Sequence, residues 1–476
     1  MKRERLLPLI IAVALFIENM DSTAIATSLP KMAHDLGTEP IALKLALTAY
    51  LLALAVFIPV SGWIADRFGA RPTFMTAIGV FLLGSLACAA SGSLETLVAA
   101  RFLQGMGGAL MVPVGRLVLL RAIPKNELVN ALSWLTIPAL VAPMVGPPLG
   151  GFITTFYNWR WIFLINLPMG ALGIALAWRF IPDLREPSVP LDWRGFLLSG
   201  VGLALAMFGF STLGRHMVSV PIAATCLVLG LVALGGYVMH ARRHPHPLLD
   251  LGLFKLATFR AGVLGGGMFR IGIGAIPFLL PLMLQLGFGL NPLQSGLLTF
   301  ASAAGAMFMK TIAARVLKRF GFRRVLWINT LVCAAMLASY GLFRKDTPHL
   351  VIIGTLLIAG CFRSLQFTSL NAISYADIDQ RAMSQATSLS GMMQQLSLSL
   401  GVAVAGYALQ IAGWFSGTAP TAAVNFSPAF LMVAALSALS VGSMWTLPAN
   451  AGQEMSGRAE PGKEIAEPKA EQRPGT

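Results

Sequence analysis

The chain has 476 residues, of which 56% are hydrophobic and only 12% charged, with 48 Gly. Soluble domains carry about 45–50% apolar residues with Gly included and about 25% charged ones, so a set of soluble domains is excluded. The abundance of Leu, Ile, Val and Phe excludes disorder over most of the length. The class that remains is a polytopic helical membrane protein. The formal net charge of +15 raises nucleic acid as a partner, and the placement of the charges decides that point.

A helix rises about 1.5 Å per residue, so about 20 apolar residues cross a 30 Å hydrocarbon layer. Fourteen such runs occur. Six come first, at about 6–29, 42–65, 73–92, 95–119, 131–154 and 161–181. Two follow, at about 194–213 and 219–239. Six more lie at about 261–286, 293–314, 325–343, 350–373, 383–410 and 428–447. The first run reads as a span and not as a cleaved signal peptide, because it is long, holds two acids and lacks a small-x-small cleavage site.

Lys and Arg in the connecting loops set the orientation. With the N-terminus in the cytoplasm, 25 of the 35 Lys and Arg fall on the cytoplasmic side. Six fall in outer loops (Lys31, Lys44, Arg160, Arg215, Arg344 and Lys345), and four lie at membrane depth: Arg101, Arg270, Lys310 and Arg363. The asymmetry supports fourteen spans with both ends inside. It also accounts for the basic charge without nucleic acid, since no soluble segment alternates basic and aromatic residues.

The four cysteines lie inside apolar runs without a CxxC and read as small buried hydrophobes. The segment from His240 to His246 holds three histidines beside Arg242 and Arg243. It reads as a basic membrane-edge loop and not as a metal site. Residues 449–476, rich in Gly, Glu, Pro, Lys and Ala, read as a disordered cytoplasmic tail.

Arg67-Phe68-Gly69-Ala70-Arg71 follows the second span, and Arg319-Phe320-Gly321-Phe322-Arg323 follows the tenth, 319 − 67 = 252 residues later. The two copies stand at the same point of two six-span blocks. This predicts an N-terminal bundle over 1–181, a linker with two extra spans over 182–260, and a C-terminal bundle over 261–448. Two related membrane halves around a central pathway are a transporter architecture. Each copy makes a tight surface turn, where Gly69 and Gly321 can take positive φ without a Cβ clash and the arginines face the anionic leaflet. Asp66, at the end of its span, has Arg67 and Arg71 within reach.

Gly62-Trp63-Ile64-Ala65-Asp66-Arg67-Phe68-Gly69-Ala70-Arg71 resembles the loop 2–3 signature of the major facilitator superfamily. Asp21-Ser22-Thr23 through Leu29-Pro30 resembles the first-helix motif of its fourteen-span drug:proton antiporter branch (EmrB/QacA type). Arg101 through Ala109 resembles the fourth-helix motif, and Gly146-Pro147-Pro148-Leu149-Gly150-Gly151 the antiporter motif of the fifth helix. Trp159 through Pro168 is similar to the same branch; the resemblance runs over nearly the whole chain except the tail and is strongest to the HsrA/MdtD-like bacterial transporters. Glu18, Ala26 and Ala142 depart from the pattern, where relatives more often carry Gln, Asn and Gly. The resemblance implies a major facilitator fold with two inserted helices, and it implies that the fifth-helix segment packs against the other half and keeps the pathway from leaking.

Ionisable residues at bilayer depth cost about 2.5–3.5 kcal/mol each on insertion scales, so they are candidates for function. Glu18 and Asp21 share one face of the first span, and Arg101 enters the fourth. Two readings fit: a proton-coupling site of Asp21 and Glu18 tuned by Arg101, or an ion pair that holds helices together. Arg270, Lys310 and Arg363 are deep cations of the C-terminal half, facing the cavity or reaching toward an interface. With Gln104, Gln285, Gln366 and Asn371 they form the expected substrate cavity. Asn166 is a further polar residue at membrane depth. Gly146, Pro147, Gly150 and Gly151, together with Asp66, Arg67, Gly69 and Arg71, are the expected gating elements, since small residues let helices approach closely and proline bends them.

These features point to a proton-driven exporter of small amphipathic compounds in a bacterial cytoplasmic membrane, with no cofactor beyond the proton motive force and a monomer as the working unit. An uptake symporter or facilitator of the same fold is the alternative. A membrane-embedded enzyme lacks its catalytic motifs here, and no Gly-x-x-x-x-Gly-Lys-Ser/Thr loop is present for a nucleotide.

Overall fold

The computed structural model describes residues 3–122, 125–182, 190–213, 219–245, 247–379, 382–448 and 451–452. Apart from Ala451 and Gly452, the tail assigned to 449–476 lies outside the described residues, as does His246. Among the described residues fourteen long helices follow in chain order. The first six are α1 (Leu7–Asp35), α2 (Pro40–Phe68), α3 (Ala70–Ala90), α4 (Leu94–Leu119), α5 (Lys125–Phe156) and α6 (Trp161–Phe180). Next come α7 (Trp193–Thr212) and α8 (Val220–Ala241). The last six are α9 (Ala257–Gly287), α10 (Pro292–Phe320), α11 (Phe322–Tyr340), α12 (His349–Ser374), α13 (Gln385–Ser416) and α14 (Ala423–Trp445). Thirteen are long and apolar enough to cross a membrane, and α5 occupies the place of the fifth expected span.

The termini of these helices follow local chemistry. Asn291 caps α10 by accepting from Gln294 N at 2.8 Å, and the Gln294 side chain returns to Asn291 N at 3.1 Å. Pro292 fits the first helical turn, where its missing N–H is not needed. Gly69 and Gly321 sit at φ +97° and +77° between α2 and α3 and between α10 and α11. Both copies of the repeated turn therefore use the left-handed freedom expected of them.

Packing partners repeat with a shift of eight helices. In the first half α1 meets α5 and α6, α2 meets α4, and α3 meets α4 and α6. In the second half α9 meets α13 and α14, α10 meets α12, and α11 meets α12 and α14. The seams between the halves obey the same relation: α5 on α10 and α2 on α13. The five-residue sequence match is thus the visible remnant of a repeat of whole bundles.

Residues at the helix ends away from the chain termini, here the far face, join the two halves. Gln285 Nε2 donates to Thr27 O at 2.7 Å and Leu293 N to Thr155 Oγ1 at 3.1 Å; deeper, Ser399 Oγ at the middle of α13 donates to Thr48 O at 3.3 Å. Lys44, expected in an outer loop, is instead fully buried near the start of α2. Its Nζ lies 4.2 Å from the centroid of the Tyr407 ring on α13. The aromatic face offers a cation a partner that keeps it out of water.

The inserted pair α7 and α8 packs on this seam, with α7 touching both α2 and α13. The Tyr407 hydroxyl points to the carbonyls of Phe210 and Leu213 at the end of α7, the second at 2.9 Å. One side chain therefore ties the first half, the second half and the insert together. Tyr407→Leu is expected to cost about 2 kcal/mol, from one hydrogen bond and one cation–π contact, seen as a lower thermal midpoint in detergent. Tyr407→Phe keeps the ring for Lys44 and should lose about half as much; equal losses would show that the cation contact contributes nothing.

Candidate transport site

Asp21 on α1 is 0% exposed. Arg101 Nη1 donates to its Oδ2 at 2.6 Å, while Gln104 Nε2 and Asn166 Nδ2 donate to its Oδ1 at 3.0 and 2.9 Å. Gln104 Oε1 in turn accepts from Arg101 Nη1 at 2.5 Å. Ser85 Oγ accepts from Gln104 at 2.8 Å and from Asn166 at 3.2 Å. The guanidinium of Arg101 lies 4.2 Å from the centroid of the Tyr50 ring. Helices α1, α2, α3, α4 and α6 all contribute. A buried carboxylate needs a charge partner and hydrogen bonds to both oxygens, and Asp21 has both.

Small residues let these helices converge. A Cβ on Gly84 would lie 2.5 Å from the backbone of Gln104, and one on Gly105 would lie 2.6 Å from the Tyr50 carbonyl. Glu18, one turn before Asp21, differs sharply from it. Its Oε2 is buried and has no hydrogen-bond partner among the described residues; Asp21 and Arg116 are the charged groups that act on it.

A cavity of about 610 Å³ lies between the halves. Arg101 lines it from the first half, beside Asn19, Ser22 and Thr23 of α1. Lys310, Arg363 and Asn371 line it from the second. The other expected cavity residues are placed elsewhere. Gln104 is fully buried in the Asp21 cluster. Gln285 bonds across the far-face seam. Gln366 donates to Thr330 Oγ1 at 2.7 Å and to Leu326 O at 3.1 Å, inside the second half. Arg270 is buried behind the wall and reaches Asn371 Oδ1 at 2.8 Å and Gly262 O at 3.2 Å. A polar residue at bilayer depth is satisfied by whichever neighbour the tertiary packing brings, and for these four the neighbour is protein. Ser85 and Tyr50 are the members of the Asp21 cluster that sequence reasoning missed, because a hydroxyl at bilayer depth is readily satisfied within its own helix and so marks no site. For Gln104 a signal existed: it lies three residues after Arg101, on the same helix face.

The fifth-helix motif divides between two roles. Gly146 and Gly150 face Thr23 and Ala24 of α1, within their own half. Gly151 meets Pro292 and Leu293 of α10, and the Pro147 carbonyl meets Gly296. In the turn after α2, Asp66 and Arg71 are half-buried and Arg67 is exposed.

At the same membrane edge as this turn, Asp192, His240 and His244 hold ligand-type atoms within 4.8 Å of one another. The Asp192 carboxylate is already engaged. It caps α7 by accepting from Gly195 N at 2.8 Å, and it also bonds His240 Nε2 at 2.8 Å and Leu248 N at 3.2 Å. Partial burial pushes this carboxyl up, but the donors from Gly195, His240 and Leu248 outweigh it and hold it below the usual aspartate value. Its folded value being the lower one, its contribution is complete above the unfolded value near 3.9 and is lost as pH falls through the folded value. Asp192→Ala should lose about 1 kcal/mol of cap stabilisation. The difference in thermal midpoint from the intact chain should hold between pH 8 and 5 and shrink in stronger acid.

Two pseudo-repeated six-helix bundles, a cavity between them and a buried ion pair at its wall define a secondary membrane carrier. The chain belongs to the Major Facilitator Superfamily, whose family profile matches residues 11–402 and 262–471. It is 40% identical over 411 residues to a protein of Pectobacterium carotovorum named, provisionally, multidrug resistance protein MdtD, covering 86% of this chain and 87% of that one. It is also 40% identical over 408 residues to the similarly named protein of Escherichia coli O157:H7, covering 85% and 86%. Among solved structures, a D-xylose-proton symporter superposes with a TM-score of 0.67 at 14% identity, over 94% of this chain and 98% of that one. A bacterial homologue of the human lysosomal transporter Spinster, inward-facing and unoccupied, gives 0.65 at 15% identity, over 97% and 99%. These structural likenesses concern the fold.

Proposed function

We propose that this chain is a proton-driven exporter of small amphipathic compounds, working as a monomer in a bacterial cytoplasmic membrane with both termini in the cytoplasm. The observation that carries this is Arg101, which binds the buried Asp21 at 2.6 Å and also lines the cavity. A change of charge at Glu18, on which Asp21 acts, is thereby passed through this pair to where a substrate would sit. The multidrug name of the MdtD relatives supports export. Protonation of Asp21 would cancel the charge that holds Arg101 at 2.6 Å, whereas Glu18 can exchange a proton at Oε2, which has no hydrogen-bond partner among the described residues. Glu18 is thus the carrier that loads and unloads, and the Asp21–Arg101 pair is the element that reports it to the cavity.

Rocking of the bundles 1–181 and 261–448 about the seams α5–α10 and α2–α13 alternates access, with 182–260 as the linker. Gly151, Pro147 and the turn of Asp66, Arg67, Gly69 and Arg71 serve as gating elements. With the far face outside, as the loop charges favour, the hydrogen bonds at Gln285 and Leu293 belong to a state closed outward. The energy source is the proton gradient, with no bound cofactor and no catalytic step. Efflux of a fluorescent dye from reconstituted vesicles, with and without a pH gradient, tests this. Gradient-driven movement opposite to proton flow is expected. Movement in the same direction as protons would make the chain an uptake symporter, and movement indifferent to the gradient would make it a facilitator.

A further inference from the structure

The cavity wall is electrically one-sided. Among the described residues that line it, Arg101, Lys310 and Arg363 are cationic and none is acidic. Asp21 neutralises Arg101. Lys310 and Arg363 have no carboxylate partner among the described residues, and Arg270, also without one, stands just behind Asn371. The helices that carry the two free cations cross closely. Gly305 of α10 abuts Leu357 and the Cys361 N–H of α12, and Gly360 of α12 abuts Ser302 of α10. The two helices are separated by one span and run in the same direction, so this crossing puts Lys310 and Arg363 at similar depths, within about a turn of each other. The remaining wall is largely apolar, with Ile273, Ile276, Leu280 and Phe367 among its side chains.

We propose that the transported compounds include small organic anions, with a carboxylate held between Lys310 and Arg363 and an apolar body against the α9 and Phe367 wall. This rests on the carrier reading above and narrows its substrate class. Two like charges near one site raise the energy of a bound cation and lower that of an anion. The preference is strong here because the cavity is bounded by low-dielectric helices. A guanidinium and an ammonium also match the two oxygens of a carboxylate, the guanidinium as a planar fork and the ammonium as a point charge.

The test uses a matched pair of xanthene dyes, fluorescein, which carries a carboxylate and is anionic at pH 8, and rhodamine 123, which is cationic. Binding of each to the full-length chain in detergent is followed by fluorescence anisotropy. Fluorescein should bind at least tenfold more tightly than rhodamine 123. Lys310→Gln and Arg363→Gln should each weaken fluorescein about tenfold without weakening rhodamine 123, which serves as the folding control. Lys310→Arg and Arg363→Lys, which keep the charge, should restore fluorescein binding to within about threefold. Equal or tighter binding of rhodamine 123, no binding of fluorescein, or fluorescein binding unmoved by the two Gln variants would overturn the proposal. Gradient-driven transport is measured separately in vesicles. If fluorescein binds as described but the proton gradient moves neither dye, the exporter reading fails and the anion site stands.

Discussion

Asp21→Asn should reduce gradient-driven transport by at least about 100-fold while the protein still inserts and folds. The substituted amide keeps an oxygen where Gln104 and Asn166 now donate, so those two hydrogen bonds survive. What disappears is the charge opposite Arg101, whose guanidinium is 1% exposed. Leaving one member of a buried ion pair without its partner costs about 3–5 kcal/mol, and the thermal midpoint should fall accordingly. Stability and transport separate in the double variant Asp21→Asn/Arg101→Gln. Removing both charges should recover most of the stability, because no buried charge is left without a partner. It should recover none of the transport if the pair reports protonation to the cavity; recovered transport would reduce Asp21 to a structural tie. Glu18→Gln gives the complementary result. Its Oε2 has no hydrogen bond to lose among the described residues, so stability should change by under about 1 kcal/mol, while transport should become indifferent to the pH gradient.

Gly150→Leu should have the largest packing effect. A Cβ at this position would come within 2.9 Å of Ala24 Cα and closer still to the Ala24 carbonyl. Backbone cannot yield as a flexible side chain can, so α1 and α5 must separate. Overpacking of this kind costs about 1–3 kcal/mol or more. The displacement acts on the helix that carries Asp21, whose contact with Arg101 depends on a 2.6 Å separation. Transport should fall more than about tenfold together with the thermal midpoint. Gly79→Leu is the control: nothing lies within 4 Å of its Cβ position, and both readouts should stay near those of the intact chain. Gly151→Leu should differ in kind, since its neighbours are Pro292 and Leu293 of the other half. It should oppose closure of the far face and raise the labelling of a cysteine introduced at Thr155, with a smaller loss of stability than Gly150→Leu.

The number of spans, the division into repeated blocks and the depth of each charge were legible in the amino-acid sequence. These are properties measured along the membrane normal. Bilayer thickness fixes the length of an apolar run, and the cost of a buried charge marks Asp21, Glu18, Arg101, Arg270, Lys310 and Arg363 without knowledge of any neighbour. The paired turns at Gly69 and Gly321 were equally legible, because a positive φ at a surface turn is a local requirement. Azimuth was not legible. In a soluble helix the polar stripe tells which face looks outward, but here lipid and protein interior are both apolar, and no such stripe forms. Nothing along the chain therefore separates Asn371, which lines the cavity, from Gln366 on the same helix, which bonds within its half. Lys44 has the sequence context of a loop charge, yet the approach of α13 covers it with Tyr407. Only the packing of one helix on another decides which partner a polar group finds, and with it whether that group holds the fold together or faces the cargo.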